Sequence, residues 1–200
     1  MKQPNKLPSL DYLREAIDYC PIAGTFRWKQ RPVSHFSDGA KYPAAFVAQR
    51  WNAKYAGTEA GNYNAAAGYL RICIDYVSFK AHRLAWMLGH GADPSGPIDH
   101  VDGDTRNNSL ANLRVVTASQ NQRNQPKRSD NKSGACGVFY QSDRKKWLAN
   151  IRFGGRTIHL GRFDTFVEAC AARAEADRAY GFHENHGRDR PTQRIRNANR

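Results

Sequence analysis

The chain has 200 residues, with 31 Lys and Arg against 18 Asp and Glu, a formal charge of +13 and a pI near 9.9. A hydrophobic content of 40% with 24% charged residues excludes wholesale disorder. No apolar run approaches the roughly 20 residues of a membrane-spanning helix, and the opening Met1 to Lys6 leads into no apolar signal-like stretch. Cys20, Cys73, Cys136 and Cys170 are dispersed and form no C-x-x-C pair. That spacing excludes a zinc ribbon and a disulfide framework, and it fits a reducing cytoplasm. The positive excess points to a polyanion as partner, with a basic ribosome-associated protein as the plain alternative.

In chain order, apolar residues at 10, 13, 16 and 17 predict a short amphipathic helix over 10–19. Gly24 to Trp28 reads as a strand. Residues 30–56 hold aromatics without a sustained period and are assigned no element. Tyr69 to Asp75 and Val77 to Ala81 read as a hairpin. A helix over 82–89 follows, stopped by the glycines and prolines of 89–97. Trp28, Trp51 and Trp86 are expected as core anchors.

The charge then shifts. Residues 1–120 hold 14 basic and 10 acidic residues, and residues 121–200 hold 17 and 8. The shift coincides with Gln122 to Ser133, a polar run without an apolar residue that reads as a linker. Beyond it, Gly137 to Gln141, Lys146 to Phe153 and Arg156 to Leu160 read as strands, the last two joined by a Gly154-Gly155 turn. Thr165 and Glu168 form a capping box that opens an alanine-rich helix to Tyr180. The expected result is a three-stranded sheet on one helix. Period two sends Trp147, Ala149 and Ile151 toward the helix, and Leu148, Asn150 and Arg152 outward with Phe139, Gln141, Thr157 and His159. His183 to His186 does not have the H-E-x-x-H spacing and reads as surface, and Arg188 to Arg200 reads as a basic arm with five arginines.

Between 97 and 121 the chain is dense in groups that bind metals or move protons. A strand ending in Asp99-His100, a loop beginning at Asp102-Gly103, a returning strand over 113–117 and a helix capped by Thr117 would gather Asp99, His100, Asn112 and Asn121. Asp and Asn oxygens suit a hard cation such as Mg²⁺, and a neutral histidine can take a proton from water. An EF-hand loop fails on the order of its acids and on the missing terminal Glu.

His82-Arg-Leu-Ala-Trp86, Ile98-Asp-His-Val-Asp-Gly-Asp104, Asn107-Asn108, Asn112-Leu-Arg-Val-Val-Thr117 and Asn121 together resemble the HNH nucleases in their ββα-metal form. The likeness is to the homing-type endonucleases of phages and bacteria. The resemblance implies that Asp99 and Asn121 ligate Mg²⁺ or another divalent cation such as Mn²⁺. It makes His100 the general base, with Asn112 bracing the loop and orienting it, and Arg83 within reach of a phosphate. An unperturbed histidine in that role becomes active between about pH 6 and 7.

Gly137-Val138, Trp147, Ala149, Ile151-Arg152, Ile158 to Gly161, Phe163 to Thr165 and the alanine-rich helix resemble the apetala-type (ethylene-response-factor) DNA-binding domain. That likeness implies a sheet laid in the major groove, with Asn150, Arg152 and His159 facing the bases and Arg144, Lys145, Lys146 and Arg156 at the turns gripping phosphates. Arginines that the family carries at positions matching Cys136 and Phe139 are absent.

The sequence is therefore read as α+β. A small α+β region (1–66) precedes an HNH core (67–124), followed by a linker (125–133), an apetala-type domain (134–183) and a basic tail (184–200). The expected function is a metal-dependent endonuclease on double-stranded DNA with a one-metal, histidine-base mechanism. The expected form is a monomer, cytoplasmic in a bacterial or phage-infected cell. The alternatives are a non-catalytic DNA-binding regulator and an RNA-binding protein.

Overall fold

A computed structural model describes residues 6–64, 68–124 and 127–188. The expected basic tail beyond 188, and the first two residues of the expected linker, lie outside the described residues. The fold is mixed α+β, built from small antiparallel sheets and a three-stranded sheet packed on a helix. The chain divides into two compact units, Met1–Val116 and Thr117–Arg200, so the division falls ahead of the polar run at 122–133.

In the first unit, α1 (Leu10–Ala16) starts where the Ser9 hydroxyl accepts from the Tyr12 amide, and it buries Leu13 and Ala16. It is shorter than its apolar spacing predicts. β-Branched Ile17 takes extended angles and opens β1 (Ile17–Cys20), which pairs antiparallel with β2 (Thr25–Trp28). The unassigned region contains α2 (Ala44–Tyr55), begun by Pro43, whose Trp51 meets Trp28 edge-on at 5.1 Å. Trp28 is buried, and Trp51 and Trp86 are partly buried against the same core.

The next sheet is β3 (Asn62–Asn64), β4 (Tyr69–Ile74) and β5 (Val77–Lys80), all antiparallel. Its β4–β5 turn places Asp75 and Tyr76 at positive φ, 48° and 65°. Buried Arg31 ties that turn down with a bond to Asp75 Oδ1 at 2.7 Å and a contact to the Tyr12 hydroxyl, which itself donates to Asp75. The Arg31 guanidinium also lies over Phe36 and Trp51, 4.7 and 4.9 Å from their ring centroids. Then α3 (Ala81–His90) buries Ala81, His82, Leu84 and Ala85 and ends at left-handed Gly91. β6 (Ile98–His100) and β7 (Leu113–Val115) close the unit as an antiparallel pair.

The second unit opens with α4 (Ala118–Arg123), capped reciprocally by Thr117 and Gln120. Its sheet comprises β8 (Val138–Gln141), β9 (Lys146–Phe153) and β10 (Arg156–Phe163), in the order β10-β9-β8. Gly154 and Gly155 both take positive φ in the β9–β10 turn. Helix α5 (Phe166–Ala179) carries the Thr165–Glu168 capping box. Val138, Ala149 and Ala169 form the core, with Trp147, Leu160, Phe163 and Phe166 around them.

Two details depart from the residue pattern. Leu148 keeps its place in the outward row yet is 5% exposed, paired between Phe139 and Arg162. The buried side of α5 includes Arg173 as well as alanines, because its guanidinium meets Asp177 and the backbone carbonyls of Cys136 and Asn150.

Candidate active site

The β6–β7 register sets Asp99 opposite Arg114 and His100 opposite Leu113. Cross-strand charges make Asp99 and Arg114 a pair. The guanidinium donates to Asp99 Oδ2 from Nη2 at 2.7 Å and from Nε at 3.1 Å. His100 is 3% exposed, its Nε2 lying 3.4 Å from Oδ1 of fully buried Asn108. Edge-on against it, 5.2 Å between centroids, is the ring of His82, which in turn meets Tyr69.

Burial governs the protonation of both imidazoles. It pushes His82 down to about 3, with His100, Lys80 and Arg83 adding to the effect. Burial also lowers His100, against the Asn108 hydrogen bond and the nearby Asp102, Asp99 and Asp104, which favour the cation. The expectation of an unperturbed histidine is thereby corrected. His100 sits below its ordinary value and is neutral at neutral pH.

The loop between β6 and β7 is held by its own amides and carboxylates. Asn112 donates from Nδ2 to Asp102 Oδ1 at 2.9 Å and to the Asn107 carbonyl at 2.8 Å, and its Oδ1 accepts from the Asp102 amide. Burial would raise the Asp102 carboxyl, but hydrogen bonds from Asn107, the Asp104 amide and Asn112 outweigh it and hold the group below its usual value. Asn112 thus braces the loop, and the side chain that reaches His100 is Asn108.

The donor set suits a hard cation rather than a soft one. Among the described residues no three His, Cys, Asp or Glu side chains gather as a metal-binding group. What the β6–β7 segment offers is one buried carboxylate, Asp99, aligned by Arg114. Asn121 lies on α4 of the second unit, where its amide donates to the Thr117 carbonyl at 2.9 Å.

The remaining expected residues differ in how far their charge is already matched. Arg83 pairs with Asp93 at 2.6 Å, Arg144 with Asp143 at 3.6 Å, and Lys146 with Asp164. Asn150 Oδ1 lies 2.8 Å from His159 Nδ1 across the β9–β10 pair. Lys145, in the β8–β9 turn at φ 51°, and Arg152 and Arg156 are exposed, and no carboxylate among the described residues pairs with them.

The sequence reading includes Asn108 and Arg114 in the stretches that resemble the HNH nucleases but gives neither a role, and it does not single out Arg173. The register of a β6–β7 hairpin, once drawn, pairs Asp99 with Arg114. The contacts of Asn108 with His100 and of Arg173 with the Cys136 and Asn150 carbonyls are tertiary and cannot be read from spacing.

The model of the HNH endonuclease family matches residues 79–123, from the end of β5 through α4. These residues, with the Asp99-His100 strand end and the braced loop, define an HNH endonuclease domain, and the match points to a nuclease. Protein 3.8 of Escherichia phage T7 is 30% identical over 97 residues, 48% of this chain and 79% of that protein. The chain belongs to the family of that phage protein. No solved structure matches it. No helix among the described residues is long and apolar enough to cross a membrane.

Proposed function

We propose that the protein is a metal-dependent DNA endonuclease of the homing HNH type, in which the HNH core (67–124) cuts and residues 134–183 of the second unit bind double-stranded DNA. The observation that carries the reading is the buried, neutral His100 fixed at Nε2 by Asn108 within the family-matched segment. Asn108 Oδ1 can only accept, and its own Nδ2 donates to the Arg106 carbonyl at 3.0 Å. Nε2 therefore carries the proton of the neutral ring, and Nδ1 keeps the lone pair.

In the proposed reaction Nδ1 takes a proton from water as the water oxygen bonds to phosphorus, and the bond from phosphorus to the leaving sugar oxygen breaks. Asn108 and Asn112 are positioning residues. The first sets the tautomer of His100, and the second holds the loop that carries Asn108. Asp99, aligned by Arg114, would hold a divalent cation such as Mg²⁺ or Mn²⁺, and the resemblance to the HNH nucleases implies Asn121 as a further ligand. When bound, that ion supplies neutralisation of the charge on the phosphate and the leaving oxygen.

The apetala-type reading of residues 134–183 is supported by the three antiparallel strands and the single helix behind them. Its outward row, Asn150, Arg152, Thr157 and His159, would meet the bases, with Lys145 and Arg156 on phosphates. Arg144 and Lys146 would have to exchange an aspartate partner for phosphate.

The test is conversion of supercoiled plasmid with Mg²⁺, with EDTA and with the His100→Ala variant. Metal-dependent nicked or linear product, lost in the variant while DNA binding survives, is expected. DNA binding with no cleavage under any metal would favour the non-catalytic regulator.

A further inference from the structure

The second unit contains a basic cavity that shares Asn150, Arg152 and Thr157 with the outward sheet row and extends beyond that row to Arg123, Phe182 and His186. Strand β8 pairs with residues 146–149 of β9 and the Asn150 amide still donates to the Gly137 carbonyl at 2.8 Å, so it is Ile151 to Phe153 that run on past this neighbour along an open edge. Arg173 secures the start of that edge. Its Nη1 donates to the Asn150 carbonyl at 2.8 Å and the Cys136 carbonyl at 3.1 Å, and Asp177 matches its charge at 2.9 Å. Beyond Arg173 the edge opens into a cavity of about 690 Å³, which Arg123, Arg152, Phe153, Phe182 and His186 help to line, and no Asp or Glu among the described residues faces it.

Arg123 is the unexplained group. Its Nη1 donates to the Tyr180 carbonyl at 3.2 Å, and its guanidinium lies 5.7 Å from the Phe153 ring centroid. Its Nε is shielded from solvent and makes no hydrogen bond, and no carboxylate among the described residues neutralises it. Shielding an N–H donor of a permanent cation without an acceptor is costly, so the arrangement calls for an anion that brings one. Beside it, His186 Nε2 takes a contact from Arg173 Nη2 at 3.2 Å. Since the arginine can only donate, that ring is neutral with its proton on Nδ1. Nδ1 is likewise shielded, lying near the Arg123 backbone without a hydrogen bond of good geometry.

We propose that this cavity receives a phosphate of the DNA backbone, with the Arg123 guanidinium as its principal ligand and exposed Arg152 on its rim. The proposal rests on the reading that the second unit binds DNA, and it adds Arg123 of α4 as a ligand next to the outward sheet row, with which the cavity shares Asn150, Arg152 and Thr157. A phosphodiester supplies acceptor oxygens and negative charge together. It thereby satisfies Arg123 Nε and offsets two guanidinium charges that no carboxylate among the described residues matches.

The test is duplex binding by the full chain in EDTA, where cleavage cannot intervene, measured over a range of salt concentrations. Arg123→Gln should weaken binding about fivefold and reduce the slope of log affinity against log salt by about 0.9, as for one lost phosphate contact. Arg123→Lys should retain most of that slope. Wild-type binding with unchanged affinity and slope in Arg123→Gln overturns the cavity and leaves DNA binding standing. Absence of duplex binding by the wild type overturns both. Where Arg123→Gln does not fold, the wild-type chain decides. Its Arg123 Nε–Hε NMR resonance should shift on adding duplex, and an unmoved resonance overturns the proposal. An equal shift with inorganic phosphate alone, at matched ionic strength, overturns the assignment to DNA.

Discussion

Nε2 of His100 and Oδ1 of Asn108 stand 3.4 Å apart, with the two residues 3% and 1% exposed. Asn108 is itself fixed from two sides, its Nδ2 donating to the Arg106 carbonyl and its own carbonyl accepting from the Tyr19 hydroxyl at 2.8 Å. A hairpin residue near the start of the chain therefore positions the partner of the proposed base. That accounts for a hydroxyl which burial raises to about 12 and which stays protonated as a donor.

Asn108→Ala should accordingly lower the single-turnover cleavage rate by about 10- to 100-fold through loss of the tautomer and ring orientation. It should also cost about 1–3 kcal/mol of stability, since the Arg106 carbonyl loses its donor and the Tyr19 side is loosened. DNA affinity in EDTA should be unchanged. A loss of affinity equal to the loss of rate would place Asn108 in binding instead.

His82 predicts an acid-sensitive first unit. Its folded pKa near 3 lies below the ordinary 6.5, so the unfolded chain takes up the proton more readily between those values. The stabilisation is fully present above pH 6.5 and is lost as pH falls through that window. By pH 4 the loss should reach about 3 kcal/mol. Urea melts of the wild type should lose midpoint steadily from pH 7 to 4, and those of His82→Gln should lose less. Parallel curves would show that the buried ring is not held neutral.

Arg152 carries the prediction for the sheet face. It is exposed, in register with Thr157 on the outward row, and paired with no carboxylate among the described residues. Arg152→Ala should cost about 1–3 kcal/mol against a preferred duplex and reduce discrimination among duplexes. Cleavage at saturating DNA should persist. Competition binding with unrelated sequences checks this, and unchanged affinity and preference would remove the sheet from recognition.

The legible parts of the fold are those written in local chemistry. The β4–β5 hairpin, α3 and the β9–β10 turn follow from alternation, a left-handed terminator and paired glycines. Helix α2 escaped because its apolar residues keep no period. Only Ala48 is buried, and the aromatic Tyr42 and Phe46 stack on each other at the surface. Helix α1 was overextended because Ile17 continues its apolar spacing while pairing with Trp28 in a sheet. At the site, Asp99, His100 and Asn112 stand out by residue type. Asn108 looks like one more turn asparagine until the fold buries it, and Arg173 looks like the solvated face of a helix until β9 runs past β8.

Gly24 links these levels. It sits at φ 69° in the β1–β2 turn, and a Cβ there would overlap the Ser109 amide nitrogen and the carbonyl carbon of Asn108. The hairpin approaches this segment so closely that the Leu110 amide donates to the Pro21 carbonyl at 2.8 Å. Gly24→Ala combines left-handed strain with a push on backbone atoms, which have no rotamer with which to yield. It should destabilise the first unit by about 1–3 kcal/mol and lower cleavage through displacement of Asn108, although the substituted residue lies far from His100 in sequence. The second unit should melt as before. A control at Gly57, where a Cβ meets nothing within 4 Å at the same sign of φ, measures the strain alone. If Gly24→Ala and Gly57→Ala lose equal stability and equal activity, the close approach to Asn108 has no part in holding the site.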